Sequence, residues 1–124
     1  MAYSAFRRMR NTDGRGLTMS EDVDITGGIK VIEWLKSELL GSVASIYRLL
    51  LKGTDVGQDA LEDSVADAVI LSYLLGERLG VDFSSVDKRI MDKLKIGIIE
   101  SDEIEKSYGS LSSLLSYIRE GRKD

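Results

Sequence analysis

No proline occurs anywhere in this 124-residue chain, so no ring locks φ or removes a backbone donor, and helices can run uninterrupted. The effect is clearest from about Ile29 to Lys52. There Ile32, Leu35, Leu39, Val43, Ile46 and Leu50 recur in steps of three and four, the periodicity of an amphipathic helix. A second stripe, Leu40, Ala44, Tyr47 and Leu51, lies beside the first. Together they make a face wider than one partner helix would cover, which predicts packing on two sides. Tyr47 and Tyr73 are read as core residues with their hydroxyls at a wet edge. Gly53 is a natural helix stop, with Thr54 to Gly57 as the loop.

A second helix is expected over about Gln58 to Leu79, ended by Gly80. A third starts near Ser84, with Val86, Ile90, Leu94 and Ile98 on one stripe, and a short fourth over about Ser110 to Arg119 carries Leu111, Leu114, Leu115 and Ile118. No segment alternates with the period of a strand. The expected class is all-α: a bundle of three longer helices plus a short C-terminal helix. The expected organisation is an irregular arm at 1–28, a helical domain at 29–119 and a polar tail at 120–124. In the arm Arg7, Arg8, Arg10 and Arg15 oppose only Asp13, and Glu21, Asp22 and Asp24 follow. Two readings stay open for it: contact with a phosphate-rich or acidic partner, or a solvated leader.

Composition excludes much chemistry. With no cysteine and no histidine, disulfides, thiolate ligands, cysteine nucleophiles and imidazole bases all drop out. The serines between Ser107 and Ser116 have no base to form a nucleophilic triad. Any metal site must use oxygen donors, which favours magnesium, manganese or calcium. A formal net charge of -4 does not describe a nucleic-acid binder outside the N-terminal arginines. No apolar run is long enough for a membrane span and no signal peptide opens the chain, so a cytoplasmic protein is expected.

One carboxylate stands out. Asp67 is the only charge in Val65-Ala66-Asp67-Ala68-Val69-Ile70-Leu71-Ser72-Tyr73-Leu74-Leu75, a helix segment apolar on nearly every face and so expected to be buried on more than one side. An ionised carboxylate in such a helix is costly unless a cation, hydrogen-bond donors or a metal receives it. Asp63 is one turn earlier on the same face, with Ser64 beside it. On the first helix Glu38 lies off the main stripe, near Gly41, Ser42 and Ser45. Carboxylates one turn apart, facing another from a second helix, can hold a magnesium ion that grips a polyphosphate. On the residues alone the alternative stays open: Glu38 and Asp63 solvated, and Asp67 paired with a lysine or arginine.

The order helix, loop, helix, then Glu77-Arg78-Leu79-Gly80-Val81-Asp82-Phe83 and a lysine-bearing helix resembles the MazG-like family. Val31-Ile32-Glu33-Trp34-Leu35-Lys36-Ser37-Glu38-Leu39-Leu40, Tyr73-Leu74-Leu75-Gly76-Glu77-Arg78-Leu79-Gly80 and Glu103-Ile104-Glu105-Lys106-Ser107-Tyr108-Gly109 are similar to its short, single-domain members. The likeness covers roughly Asp24 to Leu115. It implies an all-α nucleoside triphosphate pyrophosphohydrolase fold, related to the helical dUTPases. Active members carry Glu-x-x-Glu on the first helix and Glu-x-x-Asp on the second, four carboxylates that hold magnesium. Here Glu38 stands at the first of these and Asp67 at the last, but Gly41 and Ser64 occupy the other two, with Asp63 one residue before Ser64. The family's later lysine and asparagine, directed at substrate phosphates and base, correspond to Lys93 and Gly97.

The resemblance therefore implies a metal site of Glu38, Asp63 and Asp67, with Mg2+ as cofactor, and reduced pyrophosphohydrolase activity on a nucleoside triphosphate. Lys93, Arg78 and Trp34 are the candidate substrate contacts, the two cations toward phosphate and the indole toward a base. The alternative is a catalytically silent nucleotide-binding or regulatory oligomer. The double stripe of the first helix predicts a homo-oligomer, a dimer in the simplest case.

Overall fold

The structure, a computed structural model, describes residues 21–53, 57–100 and 103–121. Among them are five helices and no strand: α1 Glu21–Leu51, α2 Gln58–Arg78, α3 Phe83–Ile99, α4 Glu103–Tyr108 and α5 Ser110–Gly121. The all-α class is as expected. One boundary and one element differ from the expectation. Helix α1 begins at Glu21, eight residues before Ile29, so 21–28 is helical rather than irregular. Gly27 and Gly28 each weaken a helix by roughly 1 kcal/mol against alanine, but helix growth is cooperative once a strong segment has formed. The four N-terminal arginines lie outside the described residues. Helix α4 was not expected, because six residues are too few to display a period.

The chain divides after Gly80 into two compact units. In the first, α1 and α2 pack against each other as a hairpin. Gly53 takes φ 64 at the end of α1 and Gly80 takes φ 89 after α2, left-handed values that favour glycine. The N–H groups of Leu79 and Gly80 close the last turn of α2 by donating to the carbonyls of Leu75 and Glu77 at 3.1 and 3.0 Å.

Leu35 of α1 and Leu71 of α2 are each 1% exposed and contribute about 1.5–3 kcal/mol apiece by leaving water. The next most buried residue of the hairpin is Ser42, 7% exposed, which a polar side chain tolerates because its hydroxyl donates to the Leu39 carbonyl at 2.8 Å. The inward side of α1 therefore runs through Leu35, Glu38, Ser42, Ser45 and Leu49, all buried or half-buried. Val43 and Leu50, expected in the main stripe, are exposed, as is the second stripe at Leu40, Tyr47 and Leu51. Tyr47 is thus a surface residue within the chain, 72% exposed, whereas Tyr73 is half-buried. On α2 only one face is covered, and Val65, Val69 and Ile70 stay exposed. A two-helix hairpin has one mutual interface, so the expected burial on two sides is not achieved within one chain.

In the second unit α3 packs against α5, and α5 also meets α4. Leu94, Leu115 and Ile118 form its buried cluster, flanked by Ile90, Met91, Ile98 and Leu111. This is most of the stripe the spacing predicts, but Met91 joins it, Val86 is not among the residues packed there and Leu114 remains 45% exposed. Glu105 ties α4 to the start of α5. Its carboxylate accepts from the Ser112 backbone N–H at 3.0 Å and from the Ser112 hydroxyl.

Candidate functional site

Helical geometry places Asp63, Asp67 and Leu71 one turn apart along α2. Leu71 is buried against α1, so the turn before it carries Asp67 at the edge of the hairpin interface, half-buried, while Asp63 is exposed another turn away. Ser64, beside Asp63, is half-buried too. From the other helix Glu38 enters the same neighbourhood, half-buried on the inward side of α1.

The electrostatics show that these groups sense one another. The Asp67 carboxyl is held above the usual aspartate range, first by burial, then by the negative charge of Asp63, with Glu38 the weakest of the charges acting on it. Burial and like charges both disfavour the ionised form. Among the described residues no cation forms a salt bridge with Glu38, Asp63 or Asp67. Nor do any three acidic side chains among the described residues stand close enough together to enclose a metal ion as they are placed.

Magnesium fits this donor set in a limited way. Its preferred ligands are oxygens, and it is commonly bound by one or two carboxylates while water and substrate phosphates fill the remaining octahedral positions. Glu38 and Asp67, from two helices, are the pair that would hold it, with Asp63 one turn outside. Gly41, where a further carboxylate would be expected, has open space: a Cβ built there meets nothing within 4 Å.

The other candidate residues are distributed over both units. Trp34 is half-buried in the first half of α1, and Arg78 is exposed in the last turn of α2, where a cation complements the helix dipole. Both are engaged in interactions of their own. Lys93 is exposed on α3, in the second unit. One turn further on, a Cβ at Gly97 would stand 2.8 Å from Leu111 Cδ1 of α5. A side chain there requires the end of Leu111 to shift. Sequence reasoning did not find this contact, nor the Glu105–Ser112 cap, since both join residues across a helix break.

The fold is all-helical, with Glu38 and Asp67 half-buried on the two helices of the first unit's hairpin. A sequence profile of the MazG-like family matches residues 25–111, and the chain belongs to that family. Its fold is accordingly the nucleotide pyrophosphohydrolase type. Neither a curated protein nor a solved structure matches it significantly. No described helix is long and apolar enough to cross a membrane.

Proposed function

We propose that this protein binds a magnesium–nucleoside triphosphate at Glu38 and Asp67, with Asp63 in support. We further propose that it cleaves the α–β phosphate linkage, with water giving a nucleoside monophosphate and pyrophosphate, more slowly than a four-carboxylate relative would. The observation that supports the reading is the half-buried placement of Glu38 on α1 and Asp67 on α2, near enough that the charges of Asp63 and Glu38 both act on the Asp67 carboxyl. Excess negative charge of that kind favours a divalent cation. A bound magnesium ion would neutralise phosphate charge and polarise the reacting phosphorus centre. Asp67 and Glu38 would position it, and Asp63 would orient water next to it. With Gly41 and Ser64 in place of two carboxylates, the site has fewer groups to hold a second ion or to take a proton from the attacking water.

The reading includes a cytoplasmic homodimer. Its support is the outward stripe of α1, Leu40, Val43, Tyr47 and Leu50, an apolar surface of the kind a symmetric partner covers. A monomer in light scattering at micromolar concentration would contradict the dimer. Pyrophosphate release across a panel of triphosphates with magnesium should be slow and should disappear in Asp67→Ala. Release at an unchanged rate in Asp67→Ala would remove these carboxylates from the reaction. Thermal stabilisation by magnesium and nucleotide without any release would favour the silent binding module.

A further inference from the structure

We draw no further inference here: the strongest candidate, the outward apolar stripe of α1 at Leu40, Val43, Tyr47 and Leu50, is the surface already assigned to self-association, and nothing in the structure shows what covers the exposed Ile96, Ile99, Leu114 and Tyr117 of the C-terminal unit.

Discussion

Replacing Asp67 with asparagine separates a ligand carboxylate from a structural one. The two residues have similar size and helix propensity, so the change removes little except charge. In the native protein that charge is disfavoured by burial, by Asp63 one turn away and by Glu38 from α1. A like-charge pair at this helical spacing destabilises by about 0.2–0.5 kcal/mol. Glu38 adds less, being the weakest of the charges acting on Asp67 and screened by solvent at a half-exposed site. Without magnesium, Asp67→Asn should therefore stabilise the protein at pH 7 by about 0.3–0.6 kcal/mol, or roughly 1–3 °C in Tm for a chain of this size. A carboxyl pushed upward in the folded state destabilises it fully above its folded value and not at all below its unfolded one. The advantage of the asparagine variant should therefore fade as pH falls through the acid range. Magnesium at ten times its Kd stabilises the wild type by about 1.4 kcal/mol and the variant much less, so the order of the two melting temperatures should reverse. Circular-dichroism melts with and without magnesium read both effects. A variant that is less stable than wild type in metal-free buffer, or that gains as much from magnesium, would refute the reasoning.

Restoring the two absent carboxylates as Gly41→Glu with Ser64→Glu should tighten magnesium binding at least tenfold in calorimetry and raise the rate of pyrophosphate release. Open space at Gly41 makes its half of the change sterically free, and no gain in affinity would count against the site. Gly97→Asn should cost about 1 kcal/mol by forcing Leu111 aside. Combined with Leu111→Ala, it should cost less than the sum of the two in denaturant melts. Glu105→Gln should loosen the start of α5, seen as faster amide exchange there. The Glu105 carboxyl is held below its ordinary range by the Ser112 hydroxyl and then by the Ser112 backbone N–H. Its contribution is thus present at neutral pH and lost as pH falls through that lowered value, so the two proteins should converge in acid.

The helical class was legible because proline is absent and apolar residues recur at helical spacing. In α3 and α5 a single stripe left one choice of inward face, and Leu94, Leu115 and Ile118 fill it. In α1 two stripes competed, and the seam keeps part of the first, with Leu35 buried and Ile32, Leu39 and Ile46 half-buried, but runs on through Glu38, Ser42 and Ser45. What decides the seam is which side α2 covers, and the burial of Ser42 depends on a hydroxyl bond to Leu39 that hydrophobic periodicity does not encode. Asp67 was legible as a lone charge in an apolar helix, and its spacing from Asp63 follows from helical geometry. Glu38 was singled out by its place off the main stripe of the first helix, and the family resemblance paired it with Asp67. Whether these carboxylates close around an ion depends on side-chain positions within a few ångströms, below the resolution of any spacing rule.

Calorimetric titration of the full chain with magnesium and a triphosphate non-hydrolysable between its α and β phosphates tests the carboxylate site most directly. The expected result is weak, magnesium-dependent binding of one nucleotide per site that Asp67→Asn abolishes. Nucleotide binding that persists undiminished in Asp67→Asn, or no binding by the wild type with magnesium present, would contradict the assignment of Glu38 and Asp67 as the groups that hold the metal.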